Sequence, residues 1–290
     1  MKTIFILTRW NYAGRRVQLV LSLLLFLFIT ACQSSITDPS PNPNPNPTPN
    51  PNPNKPGNPV ETLKKVKISW SENDFQEILY DTTGLPVQYA SQYVDNLGTG
   101  HVQRYVYKLQ YNSEKHLTRT DVVGEAGSSY TTYQYAGNQV TQTSQYAAEG
   151  RLLSTCTYQY SAPNRLSQVD EAHVFSNAAE RRTYQYDAMG NLTLLSTYTK
   201  EATADAYVLQ HTLAFTEYDT QHDVEGLLFH IPLLPGVTFR TNNHGLKILR
   251  DRNGRELSRE QTTYVYNEQG YPVKQVRTGP GGSLTATYTY

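Results

Sequence analysis

"RRTYQYDAMGNLTLLSTYT", Arg181 to Thr199, is the stretch that decides the fold. Two tyrosines stand one residue apart, a Gly-Asn turn follows, and an alternating run returns. In Tyr184-Gln185-Tyr186 the rings point one way and the glutamine the other, the period of two that marks a strand. Asp187 to Asn191 supplies turn chemistry, with Gly190 able to take a positive φ at no steric cost. The unit reads as a β-hairpin whose bulk is aromatic.

The unit recurs. Tyr-x-Tyr appears at Tyr105/Tyr107, Tyr133/Tyr135, Tyr158/Tyr160, Tyr184/Tyr186, Tyr264/Tyr266 and Tyr288/Tyr290, with steps of 28, 25 and 26 residues where it is best kept. Turn-forming clusters follow: "AGNQ" from Ala136, "SAPNR" from Ser161, "NEQG" from Asn267. "DTTGLP" at Asp81 and "DRNGRE" at Asp251 fit the same role, and Asn-Gly is a strong hairpin signal. In "QVTQTSQY", strict alternation puts Val140, Gln142, Ser144 and Tyr146 on one face and Thr141, Thr143 and Gln145 on the other. A step of about 25 residues holds two strands and two turns. The reading is all-β: an antiparallel meander of successive hairpins in a curved, partly open or barrel-like sheet.

Aliphatic side chains are scarce in this body, roughly a fifth of it against a usual apolar share near half. Tyrosine makes up the difference, 22 of 23 lying beyond residue 60. A phenol ring buries apolar area while its hydroxyl stays hydrated, so cross-strand Tyr, Thr and Val pairs are expected to stabilise the sheet without a thick dry core. One segment departs from this pattern. "EGLLFHIPLLPGVTFRTNNHGLK", Glu225 to Lys247, is aliphatic and carries two prolines. It is expected to pack into the concave side of the sheet or cover its end as a loop or short helical turn.

The first 59 residues are of another kind. A basic start (Lys2, Arg9, Arg15, Arg16) precedes "LVLSLLLFLFIT", an apolar run of signal-peptide length. "ITAC", ending at Cys32, looks like a bacterial lipobox, which implies cleavage before Cys32 and its acylation; the alternative is an ordinary cleaved signal with an incidental cysteine. Several acyl chains make a stable anchor. Gln33 follows, which favours the outer membrane, facing either the periplasm or the cell exterior. Asp38 to Pro59 holds ten of the 16 prolines and reads as an extended tether of roughly 60 Å. The expected domains are therefore a signal peptide at 1–31, a lipidated linker at 32–59 and a Tyr-rich β domain at 60–290. With Cys32 acylated, Cys156 has no disulfide partner and reads as a small buried apolar side chain.

Charge excludes one class of partner. With 25 basic and 25 acidic residues and a pI near 7.1, no basic stripe for nucleic acid is indicated. The seven histidines show no metal-ligand spacing, and no nucleophile elbow or phosphate loop is present. "YDTQHDVE" (Tyr218 to Glu225) reads as a hydrophilic loop, and "EAHVF" around His173 and the pair Glu180/Arg181 as solvated strand ends. No catalytic residue, metal or cofactor is expected.

"YQYDAMGNLT" resembles the tyrosine-aspartate (YD, or Rhs) repeat. The whole body, with "FTEYDTQHDVEGL" from Phe215, "TNNHGL" from Thr241 and "YVYNEQGYPVKQV" from Tyr264, is similar to a family of bacterial lipoproteins, domain of unknown function 4595. That resemblance implies a porin-like fold and no known activity.

Three roles are open to the tyrosines: ladders that hold the sheet, aromatic platforms for sugar or peptide (Tyr133, Tyr135, Tyr158, Tyr160, Tyr184, Tyr186), or girdles of a membrane-inserted barrel. The last conflicts with strand faces carrying Gln, Thr and charge. The expected function is a non-catalytic, lipid-anchored envelope protein presenting a Tyr-rich surface to a polysaccharide or envelope protein. A structural or assembly component without a small ligand, and a glycan-processing enzyme, are the alternatives.

Overall fold

The computed structural model describes residues 65–96, 100–124, 127–176, 178–224 and 234–290, excepting the side chains of residues 95 and 96. The expected signal peptide, Cys32 and the tether lie outside them. Sixteen strands follow one another: β1 (Lys65–Ser69), β2 (Phe75–Tyr80), β3 (Pro86–Asn96), β4 (His101–Tyr111), β5 (Leu117–Gly124) and β6 (Gly127–Ala136). Next come β7 (Gln139–Ala147), β8 (Leu152–Ala162), β9 (Arg165–His173), β10 (Ala179–Tyr186) and β11 (Leu192–Lys200). The last are β12 (Val208–Tyr218), β13 (His244–Asp251), β14 (Glu256–Tyr266), β15 (Pro272–Gly279) and β16 (Gly282–Thr289).

Each strand pairs antiparallel with its sequence neighbours, and β1 pairs with β16 through Ile68 opposite Tyr288, so the meander closes into a barrel. Closure removes both free edges of the sheet. A ring of this many strands encloses more space than its own inward side chains fill.

The alternation explains which residues face inward. Along β14, Ser258 and Thr262 are buried and Tyr264 and Tyr266 half-buried, while Leu257, Arg259, Thr263 and Val265 are exposed. Along β4, Tyr105, Tyr107, Leu109 and Tyr111 face inward, while Arg104, Lys108 and Gln110 face out. The outer surface is polar and carries cross-strand ion pairs such as Arg181 with Asp170 at 2.6 Å. Arg119 bonds Asp121 at 2.7 Å and lies over the outward Tyr130 ring, which stacks on Tyr146 at 5.0 Å.

One device repeats at one rim. The even strands β2, β4, β6, β8, β10, β12, β14 and β16 all bring a tyrosine to this rim: Tyr80, Tyr111, Tyr135, Tyr160, Tyr186, Tyr218, Tyr266 and Tyr290. Opposite the tyrosines of the hairpins at β3, β5, β7, β9, β11 and β15, the returning strand carries a bulge at its second or third residue. Tyr135 faces Val140 while Gln134 faces Gln142, and Tyr186 faces Leu192 while Gln185 faces Leu194. The extra residue is often threonine, and its hydroxyl bonds the facing carbonyl, as Thr118 does to Gln110 and Thr193 to Gln185. A bulge interrupts the ladder and frees a carbonyl of the bulged strand. The tyrosine of the next even strand takes it: Tyr111 donates to Pro86 O, Tyr135 to Leu117 O, Tyr160 to Val140 O, Tyr218 to Leu192 O and Tyr290 to Pro272 O. Burial raises the pKa of Tyr135 and Tyr160 to about 12, so both remain donors.

The first tyrosine of the pair works in the same manner one step deeper. Tyr133 meets the Thr120 hydroxyl at 3.0 Å, Tyr158 meets Thr143 at 2.9 Å and Tyr288 donates to Gln275 Oε1 at 2.6 Å. Two expectations are corrected here. The hydroxyls are spent inside the barrel instead of staying hydrated, because the bulges present carbonyls that need donors. The bulge also breaks strict alternation in "QVTQTSQY". Val140 and Thr143 face inward together, while Gln142, Ser144 and Tyr146 face out.

Turns on this rim share one construction. In Asp187 to Asn191 the Asp187 carboxylate accepts the Asn191 N–H at 2.8 Å, and Gly190 N–H bonds Asp187 O at 3.1 Å. Asp81 and Asn267 cap their turns the same way.

Removing one latch hydroxyl leaves a buried carbonyl unpaired. Tyr160→Phe is therefore expected to cost about 1–2 kcal/mol, read as a lower urea midpoint with unchanged slope. Tyr146→Phe, on the outer face, is expected to stay within about 0.5 kcal/mol.

Candidate functional site

Between β12 and β13 the chain leaves the wall at the tyrosine rim and turns into the barrel. Val224 is 1% exposed and packs against Val66, Ile68, Ile78, Ala286 and Tyr288 of β1, β2 and β16. Val237 and Phe239 pack against Leu166, Val169, Leu192, Leu195 and Phe215 of β9, β11 and β12, on the other side of the ring. The two flanks of the insert thus touch opposed walls, and the tyrosine end is plugged. This agrees with the expected packing of Glu225 to Lys247 into the concave side. It differs in that His244 to Lys247 belong to β13. Residues 225–233 lie outside the described part.

Buried polar groups hold the plug. Asn191, 2% exposed, accepts the backbone N–H groups of Thr241 and Asn242, both at 2.9 Å, and donates to Asp187 and Asn242. Asn243, 1% exposed, donates to both Asp219 oxygens, to His222 O and to Tyr266. The Tyr266 hydroxyl also bonds Asp219, and Arg240 pairs with the buried Asp223 at 3.4 Å. Arg165 reaches the carbonyls of Gly190 and Thr238. A Cβ on Gly190 would lie 1.7 Å from the Arg165 guanidinium, at a φ of +88° that already favours glycine. Within Tyr218 to Val224, Asp219 and Asp223 are spent on the plug while Thr220 and His222 stay exposed, so the stretch is a hydrophilic loop only in part.

Inside the wall lies a charged group that the sequence reading left on solvated strand ends. On β10, Glu180 and Arg182 share the inward parity of Tyr184 and Tyr186. On β9, Glu171 faces Cys156, and His173 follows it inward. Arg182 Nη2 bonds Glu171 Oε2 at 2.9 Å, Arg182 Nε lies 3.1 Å from Glu180 Oε1, and His173 Nε2 lies 3.8 Å from Glu171 Oε1. Burial raises the Glu180 pKa above the usual carboxylate range, against the pull of Arg182. Burial also pushes the Cys156 thiol to about 12, which leaves it protonated and unreactive at neutral pH. The parity of residues 180 to 186 was the signal in the sequence; the excess of tyrosine drew attention away from it. A quarter turn round the ring, Lys247 pairs with Glu260 at 2.8 Å.

The six tyrosines singled out in the sequence fall into two rows. Tyr135, Tyr160 and Tyr186 belong to the rim; the first two are latched, and the Tyr186 hydroxyl is buried without a hydrogen-bond partner among the described residues. Tyr133, Tyr158 and Tyr184 form the deeper row. Protein encloses all three and burial raises their pKa values, yet each keeps some accessible surface, the condition of residues lining an internal space. Tyr184 rests on Phe239 of the plug, ring centroids 5.3 Å apart. No group of three or more His, Cys, Asp or Glu side chains among the described residues is placed to hold a metal.

The fold has counterparts. A porin-like protein from Bacteroides uniformis superposes with a TM-score of 0.52 at 14% identity, over 80% of this chain and 97% of that one. A porin-like protein from Bacteroides vulgatus gives 0.44 at 14% identity, over 79% and 98%. A TcdB2-TccC3-TEV structure gives 0.22 at 13% identity, over 75% of this chain and 12% of that one. The first of these establishes a shared porin-like barrel fold and nothing further. No protein-family profile matches the chain, and a comparison with curated proteins finds no match.

Two outcomes follow from this geometry. Asn191→Ala removes the bonds that seat the plug, so limited proteolysis is expected to cut within 219–243 several-fold faster while the strands stay protected. Glu180 has a folded pKa above its unfolded one, so its contribution is fully present below the ordinary Glu range and is lost as pH rises through the folded pKa. Glu180→Gln is therefore expected to be more stable than the parent at pH 7. The gap should close as pH falls into the carboxylate range, as measured by thermal unfolding between pH 3.5 and 8.

Proposed function

We propose that this chain is a non-catalytic, lipid-anchored outer-membrane protein of the domain of unknown function 4595 family, built from hairpins akin to tyrosine-aspartate repeats. Its barrel stands in the aqueous phase as a binding module for a polysaccharide or envelope protein. One observation carries the reading: the outward strand faces hold charge along their height, from Arg119, Asp121 and Lys108 toward one rim, through Arg104, to Asp170 and Arg181 toward the other. A lipid-facing band about 25 Å tall excludes such residues, which cost roughly 2–4 kcal/mol each at the bilayer midplane. A barrel of this kind needs a separate membrane attachment, and acylated Cys32 supplies one. The porin-like fold of the Bacteroides protein accords with an envelope setting.

Strand β1 starts at the plugged rim, beside Tyr80. Glu171 and Glu180 are both engaged by Arg182, which supports binding over chemistry. The latched rim tyrosines also support a second reading, a structural or assembly component that uses the barrel purely as a scaffold.

The anchor is tested with the full chain expressed in a bacterial host fed an alkyne-tagged fatty acid. The parent is expected to carry the tag and to need detergent for extraction. Cys32→Ser is expected to lose the tag and to leave the membrane fraction with alkaline carbonate alone. A Cys32→Ser protein that still resists carbonate would show that the barrel itself sits in lipid.

A further inference from the structure

The deeper tyrosine row and the charged group beside it define a lumenal binding site. We infer that the space above the plug, lined by Tyr133, Tyr158, Glu171, Glu180 and Arg182, takes a neutral oligosaccharide; this rests on the binding reading above.

The aromatic half of the argument is geometric. Tyr133 and Tyr158 stand on β6 and β8, alternate strands of the wall, so their backbones are roughly 10 Å apart, two inter-strand spacings. Such a spacing suits every second unit of an extended sugar chain. Their hydroxyls are fixed by Thr120 and Thr143 and their rings pack on one side against the aliphatic clusters of the wall, so the rings are held still and the surface each keeps is what can meet a ligand. Rigid rings stack at low entropic cost. Tyr184 carries the row onward, but Phe239 covers part of it, so the plug forms the floor of the site.

The polar half supplies direction. Each carboxylate gives one oxygen to Arg182: Glu171 uses Oε2 and Glu180 uses Oε1. The second oxygens make no hydrogen bond among the described residues, although Glu171 is only 9% exposed; its Oε1 faces His173 at a distance of 3.8 Å. The buried Nε–H of Arg182 is likewise unsatisfied, its approach to Glu180 lying off the donor axis. A buried polar group without a partner is costly. A chain of hydroxyls offers donors to the carboxylates and acceptors to the guanidinium at once. With two carboxylates against one guanidinium the group is net negative, which disfavours acidic glycans and peptides rich in Asp or Glu.

The test is calorimetric titration of the purified full chain with cellohexaose, maltohexaose and mannohexaose, with a hexagalacturonate as the acidic probe. At least one neutral hexasaccharide is expected to bind saturably, and the acidic one not to bind. Glu171→Gln and Glu180→Gln are each expected to weaken that binding roughly tenfold or more, since a hydrogen bond to a charged group is worth at least one decade in affinity. Tyr146→Ala, on the outer face, is expected to leave it unchanged, and near-UV circular dichroism confirms that each variant keeps its packing. Binding that survives both Glu variants but is lost in Tyr146→Ala would overturn the lumenal site while preserving a glycan-binding role on the outer wall. Preference for the acidic probe would overturn the assigned ligand class. No saturable binding by any probe would overturn the site and the polysaccharide half of the binding reading, leaving an envelope protein as the partner.

Discussion

A phenol hydroxyl meeting a carbonyl set loose by a bulge is the interaction on which the rest of this barrel depends. Six of the return strands (β3, β5, β7, β9, β11 and β15) gain one residue just after the turn, and the kink strands a carbonyl on the inner side. In a buried setting that loss would weigh against the hairpin. The tyrosine arriving from the next strand cancels it and stitches three consecutive strands together across one turn. The paired tyrosines in the sequence follow from this arrangement, one for the freed carbonyl and one for the threonine or glutamine above it. Aromatic bulk then comes with fixed direction, which an aliphatic core would not have provided.

This division of labour also organises the interior. The rim of the barrel is closed by rings, by the plug and by a few aliphatic side chains such as Leu117, Val140, Leu166 and Leu192. Higher in the wall the inward positions turn polar: Ser154, Glu171, Arg182, Thr197 and Ser258. A conventional globule could not carry so many polar groups at its centre. A wide ring can, because the side chains line a space and need not meet at an axis. The outer surface is polar as well, so both faces of the sheet are wet over much of their height. That explains how a chain so poor in aliphatic residues folds at all.

Much of this was legible in the residues. The period of two, the Asp/Asn-x-x-Gly turns and the spacing of Tyr-x-Tyr read directly as a meander. The aliphatic insert stood out against a Tyr/Thr background and was rightly placed on the concave side. Closure was not legible, because the pairing of β1 with β16 depends on the accumulated stagger of sixteen strands, which no local pattern records. The bulges were missed for a related reason: an inserted residue shifts parity without changing composition, so Val140 was assigned to the wrong face. Glu171 and Glu180 illustrate a third limit. Charge near a turn reads as solvated by default, and only the parity shared with Tyr184 argues otherwise.

The seam between β1 and β16 joins the first and last strands of the ring. Nothing earlier in the barrel can stand in for β16, so the ring cannot shut until that strand has been made. Contacts this distant in sequence make for slow assembly. Until then two unpaired strand margins remain open to other chains. A chain of this design therefore passes through an adhesive stage that the finished barrel no longer reveals.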